Sequence, residues 1–206
     1  MQNNGTTEPN IKNTVETALL ESIPHLRDLS IRDGIQAWDA NKWPIGNVSP
    51  VAKALDQWAE TVAKYGIKIA PAETWGGGQV AQPAKMLGED PLVNLEEIRD
   101  AMPHVELQCL YRGRQGFGFI PVSAEIQKAA LEAAVKRGIK VVRIFDMMND
   151  ITNVETGIHI LKEMQQTGKD VVIEGAISYI SEPNHGKPRA WDLDDYGDYA
   201  IKLAKA

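Results

Sequence analysis

Five short apolar runs alternate with segments of helical periodicity along this chain, and that alternation constrains its fold more than any other feature. The runs are "LSIRDG", "IKIAPAETWGGG", "VELQCLYRG", "KVVRIFDMMND" and "VVIEGAISY", each closing in polar or glycine-rich residues. Continuous apolar runs of this length suit strands buried on both faces, as in a parallel sheet covered by helices. The segments between them carry boundary signals. Ser49 and Pro50 are expected to open a helix that Gly66 ends in a left-handed turn. Asp90 and Pro91 open the next and Pro103 stops it, while Ser123 opens an Ala- and Leu-rich third helix that Gly138 closes. A fourth is expected from near Asn153 to Gly168, and a fifth from near Asp192 to the last residue.

Repeated strand–helix units argue for a parallel α/β sheet, either open and doubly wound or part of a (β/α)8 barrel. Both architectures place chemistry at the carboxyl ends of strands. Polar and glycine residues fall there repeatedly: Arg32 and Asp33, Trp75 to Gly78, Arg112 and Gly113, and Asp146 to Asp150. No helix-opening GxGxxG follows the first run and no GxxxxGK[ST] is present, so a nucleotide-binding sheet would lack its phosphate loop.

Composition narrows the function classes. With 206 residues, 43% of them hydrophobic, the chain can bury a real core. Its net charge of −6, with both signs interspersed, gives no footprint for nucleic acid or an anionic membrane. No run approaches the length of a membrane span, and the single cysteine, Cys109, fits a reducing compartment. We expect a cytoplasmic chain with a polar tail over residues 1–21 and one domain over 22–206.

The rim residues suggest a chemistry. A carboxylate such as Asp33 is a hard oxygen ligand for a divalent cation that could polarise a carbonyl and stabilise an enolate. Arg32 and Arg112 offer planar forks that match a carboxylate bidentately, and Gln36 could reach the same ligand if its loop turns over the rim. Together they fit enolate chemistry on a small 2-oxo acid. An Arg-Asp pair at a strand end is also a common structural ion pair, so spacing alone leaves both readings open. His25, His104, His159 and His185 show no H-x-H or HExxH spacing, and Cys109, mid-strand, reads as core.

Longer stretches carry a resemblance. "DLSIRDGIQAWDANKWPIGNVSPVAKALD" resembles the opening of the carboxyltransferase domain of biotin-dependent enzymes, the pyruvate carboxylase, oxaloacetate decarboxylase and transcarboxylase 5S group, which begins D-T-T-L-R-D-x-x-Q-S. The similarity continues through "ETWGGG", "LGEDP", "AMPHVELQCLYRG", "GIKVVRIFDMMND" and "EGAISYISEPNH", in order, from about residue 26 to 206. It implies a (β/α)8 TIM barrel, of which this chain supplies about the first five βα units as parallel strands. It implies that Asp33 is a ligand of a catalytic divalent metal (Zn, Mn or Co). Arg32, Gln36 and Arg112 would hold pyruvate or oxaloacetate, with Arg112 facing the carboxylate. Trp75, Gly76 and Gly77 match the second-strand rim loop, and Phe145, Asp146 and Asn149 the fourth. Carboxybiotin on a carrier domain, from another chain or a missing region, would exchange its carboxyl group with the pyruvate enolate.

Departures from the family pattern qualify that expectation. The carboxylated lysine and the His-x-His pair that complete the family's metal site have no counterpart here. Gln115 stands where the family carries asparagine, Gly78 where it carries alanine, and residues 181–192 hold an insertion. We expect a truncated product, inactive until the missing barrel half is supplied, with open sheet edges able to form a homo-oligomer. Two other readings stay open: a metal-dependent lyase or Claisen-condensing enzyme of the same barrel superfamily, and a non-catalytic associating fragment.

Overall fold

A computed structural model describes residues 25–179 and 191–206; the tail at 1–21, His185 and most of the 181–192 insertion lie outside the described residues. The longer helices are α1 (Ile45–Ala63), α2 (Pro91–Ala101), α3 (Ala124–Lys136), α4 (Ile151–Gln166) and α5 (Leu193–Lys205). The strands are β1 (Ala72–Gly76), β2 (Leu107–Tyr111), β3 (Ile139–Ile144) and β4 (Val172–Gly175). All pair in parallel, in the order β1-β2-β3-β4. That sequential order separates the two candidate architectures. A doubly wound sheet reverses direction at a switch point, whereas a barrel adds each strand beside the last. The helices follow suit, α1 packing on α2, α2 on α3, α3 on α4 and α4 on α5 in a single layer.

The first expected strand differs. Asp28 accepts from both the backbone N–H (2.9 Å) and the hydroxyl (3.0 Å) of Ser30, and Asp33 and Gly34 donate back to the Leu29 carbonyl. These bonds turn the chain into a helical turn, Ser30–Gly34, that continues as Ile35–Asp39. Strand pairing is confined to residues just before it: Ala70 donates to the Leu26 carbonyl (2.8 Å) and Glu73 to the Asp28 carbonyl (2.9 Å). Pro71 lies between the two donors, and a proline cannot contribute to a ladder. Among the described residues there are thus four strands and a bridged segment where five strands were expected.

Four expected helix starts or stops hold closely. Asp90 caps α2 through Leu92 N (2.8 Å), Ser123 caps α3, Asp150 caps α4 through Thr152 N (3.0 Å), and Asp192 caps α5 in a capping box with Asp195. The start of α1 does not. It begins at Ile45 and contains Pro50, because its first N–H groups find an acceptor far along the chain: both Glu89 carboxylate oxygens lie 3.2 Å from Ile45 N. Ile45 also packs on the core and Val48 is buried, which draws the extra turn inward.

The two faces of the sheet differ in kind. Alternation along each strand sends Cys109, Tyr111, Val142 and Ile144 toward the helices, all fully buried with Leu131, Val154 and Leu161. The other face carries one charged or amide side chain per strand: Glu73, Gln108, Arg143 and Glu174. In a barrel that face points inward. No helix among the described residues is long and apolar enough to cross a membrane.

At the end of β1, Gly76 has φ +111°, and a Cβ there would collide with the Leu110 carbonyl on β2. Gly76→Ala should therefore cost at least about 2 kcal/mol in urea unfolding; a loss under about 0.5 kcal/mol would contradict the close strand approach.

Candidate functional site

At the carboxyl ends of the strands, Arg32 is buried and held by two carboxylates. Its Nε donates to Glu73 Oε1 at 2.5 Å and its Nη1 lies 3.1 Å from Asp33 Oδ1. The helical turn after residue 29 lays Arg32 inward and leaves the Asp33 side chain 54% exposed at the rim. Gln79, from the short helix after the glycines, donates to the Ile31 carbonyl at 2.6 Å and locks that turn to the β1 loop.

The three glycines after Trp75 form the floor on which the other residues meet. A Cβ on Gly77 would sit 3.2 Å from Arg112 Nη2, so the Arg112 guanidinium rests on bare backbone. A Cβ on Gly78 would collide with Asn41 and reach within 3.3 Å of Gln36 Oε1. Asn41, buried and left-handed at φ +61°, donates weakly to that same oxygen at 3.4 Å. Arg112 thus lies over Gly77 and Gln36 beside Gly78, while Arg32 is near enough to Arg112 for its charge to be felt and pairs with Asp33.

Arg112 is the unsettled member of this group. Its Nε is buried without a hydrogen-bond partner, and its guanidinium stands 4.8 Å from the Phe119 ring centroid. Burial, and then the charge of Arg32, lower its pKa. An anion beside Arg112 would favour its charged form.

Arg32 also belongs to a chain of alternating charge. Glu73, 0% exposed, accepts from Arg32, from Arg143 Nη1 (2.9 Å) and from Gln108 Nε2 (3.2 Å). Arg143 Nε donates to Glu174 at 2.5 Å, and Glu174 receives Arg27 at 2.8 Å on each oxygen. Burial pushes the Glu174 carboxyl up, but the hydrogen bonds and charges of Arg143 and Arg27 hold it below its ordinary value. The sequence Arg27, Glu174, Arg143, Glu73, Arg32, Asp33 holds three guanidiniums and three carboxylates, so it balances. Arg112 is the surplus cation. None of these partners was expected from the sequence, although the signal exists: each strand carries one charged or amide residue facing the same way.

The remaining expected residues shape the rim from behind. Trp75 is buried against the helix layer, its Nε1 donating to the Pro91 carbonyl (3.1 Å) and its ring 4.7 Å from Phe117. Asp146 accepts from Met148 N, Asp150 N and Asn153 Nδ2 at 2.9–3.0 Å, folding its own loop. Asn149, left-handed at φ +55°, exchanges two 2.8 Å bonds with the Ser178 backbone and ties that loop to the segment after β4.

No family model matches the chain. It is 32% identical over 180 residues to the large subunit of 2-oxoglutarate carboxylase from Hydrogenobacter thermophilus, a match that covers 87% of this chain and 24% of that protein. It is 30% identical to a pyruvate carboxylase subunit of Methanocaldococcus jannaschii, covering 85% of this chain and 28% of the relative. Its fold matches the carboxyl transferase domain of Rhizobium etli pyruvate carboxylase with a TM-score of 0.75 at 24% identity, over 100% of this chain and 34% of that one. In sequence and in fold, the chain matches part of the carboxyltransferase domain of biotin-dependent enzymes. It spans about a quarter of the curated relatives and a third of the solved domain. Within that carboxyltransferase fold, the four strands and their helices form one wedge of the TIM barrel, and the residues around Gly77 sit at the carboxyl ends of its strands.

A second cluster lies at the opposite end of the strands, before β2. His104 N and Nδ1 each lie 2.9 Å from an oxygen of Asp56, and Nε2 is 3.6 Å from Glu60. Asp56, Glu60 and His104 offer one ligand atom each within 4.8 Å, a spacing that could hold a metal ion. It is not the cation position expected at Asp33. The hydrogen bond to Asp56, then the charge of Glu60, raise the His104 pKa above its ordinary value. Because the folded protein favours the charged imidazole, this contribution is complete below the unfolded pKa, about 6.5, and fades as pH rises through the folded value. The thermal midpoint of the protein should therefore fall toward that of His104→Gln as pH increases from about 6 to about 8. Parallel profiles would contradict the clamp.

Proposed function

We propose that this chain forms the substrate-carboxylate end of a biotin-dependent carboxyltransferase of the cytoplasm, moving a carboxyl group between carboxybiotin and pyruvate or oxaloacetate through an enolate. The observation that carries the reading is the surplus charge of Arg112, with a buried, unpartnered Nε beside Arg32 and a neutral network behind both. A 2-oxo acid brings a carboxylate to match that charge. The bidentate fork of Arg112 would take it, Arg32 would bind from the other side, and Gln36 would hydrogen-bond the keto oxygen. The Phe119 ring against the Arg112 guanidinium helps to hold the fork in place for that contact.

Asp33 fits one ligand of a divalent cation such as Zn, Mn or Co: its carboxylate is half exposed and has one close cationic partner, Arg32. Such a cation supplies polarisation of the keto oxygen and stabilises charge developing toward the enolate. A complete shell needs further donors, which we assign to the rest of the barrel, borne by another chain or by more of this protein. In the domain spanning 22–206, Gly76 and Gly77 let the rim backbone approach the substrate, while Trp75, Asp146 and Asn149 hold the loops. The carrier of the biotin would approach over this rim. The similarity to a 2-oxoglutarate carboxylase keeps a longer 2-oxo acid as the competing substrate.

Calorimetric titration of the chain with pyruvate tests the reading. Binding should be saturable, should exceed that of acetamide, and should weaken by about 10- to 100-fold in Arg112→Ala, as expected when a charge-assisted bidentate contact is lost. Equal binding by the variant, or tighter binding of the neutral amide, would overturn it.

A further inference from the structure

We propose that Glu73 is a positioning residue: it fixes the guanidinium plane of Arg32 and so determines whether a 2-oxo acid carboxylate can be held at the rim. The inference rests on the substrate reading above and adds a residue that does not touch the substrate. Glu73 is the second residue of β1, fully buried on the inward face, below the rim. It takes Arg32 by Nε, at 2.5 Å, rather than by the terminal nitrogens. An arginine held at Nε cannot swing its fork about its long side chain. With Nη1 beside Asp33 at 3.1 Å, Nη2 and the outer N–H bonds are left for a ligand.

Glu73 is itself held. Its second oxygen accepts from Arg143 and Gln108, on β3 and β2, and Arg143 is anchored in turn by Glu174 on β4. The orientation of Arg32 is therefore set by four strands together, each of which contributes one inward side chain. Such outer partners commonly change ligand affinity by about 10- to 100-fold although they never meet the ligand. The arrangement also keeps Arg32 from collapsing onto Asp33 alone, leaving the exposed half of that carboxylate open.

Two measurements on the whole chain test this. The first is the Arg32 Nε–H resonance by NMR, which needs no ligand. It should be downfield-shifted and slow to exchange in the wild type, and should lose both properties in Glu73→Gln. Should that variant fail to fold by circular dichroism, Glu73→Asp keeps the charge but withdraws the oxygens by one methylene, and should produce the same change. The second is the affinity for oxalate, a small dicarboxylate mimic of the enolate, in a double-mutant cycle. Glu73→Gln or Glu73→Asp should weaken oxalate by about tenfold in the wild-type background and have little further effect when Arg32→Lys is already present. A fast-exchanging Arg32 Nε–H in the wild type, or equal losses in both backgrounds, would overturn the positioning role. If the wild type shows the slow Nε–H but binds no oxalate, the substrate reading fails and the control of Arg32 by Glu73 stands.

Discussion

A carboxylate removed from water must be matched where it lies, and in this chain that carboxylate is Glu73. With no exposure and three donors around it, Glu73 fixes what can stand beside it on β2, β3 and the first turn: Gln108, Arg143 and Arg32. Removing one partner from a buried ion pair costs on the order of 3–5 kcal/mol, because the other charge is left behind. The network is therefore better understood as a device that specifies registers and orientations than as a source of net stability. Strand alignment serves it directly, since Glu73 pairs with Gln108 and Arg143 with Glu174 across the ladders.

Stability comes from the other face. Apolar residues that alternate with the network pack beneath α2, α3 and α4, where Gly157 lets α4 approach Tyr111 and Ile144 closely. Burying such side chains contributes about 25 cal/mol for each Å² removed from water. The wedge thus has a dry outer layer that holds it together and an ionic inner layer that aims residues at the rim. Cys109 belongs wholly to the dry layer: burial raises its thiol pKa and removes it from chemistry.

The sequence reveals most of the first layer and the outline of the second. Local signals such as Asp90-Pro91, Ser123 and Asp192 act within one helical turn, so they can be read without knowing the fold. Long-range partners cannot. Glu89 caps α1 from 44 residues away, which places the start of that helix ahead of the Ser49-Pro50 signal. Asp28 diverts an apolar run into a helical turn by capturing Ser30. Arg32, Asp33, Gln36 and Arg112 stand out in sequence because charged and amide residues cluster after apolar runs, and the bare backbone of Gly77 and Gly78 makes room for Arg112 and Gln36. Glu73, Gln108, Arg143 and Glu174 are less visible, each being a polar residue within a strand whose meaning depends on the neighbouring strand.

With a charge-balanced ionic network behind them, the guanidiniums of Arg32 and Arg112 would share one carboxylate. A crystal of the chain soaked with pyruvate shows whether they do. Density for the pyruvate carboxylate is expected within hydrogen-bonding distance of both guanidiniums, with the Arg32–Glu73 bond unchanged. Pyruvate bound elsewhere, or an Arg32 that leaves Glu73 to reach it, would refute a shared site.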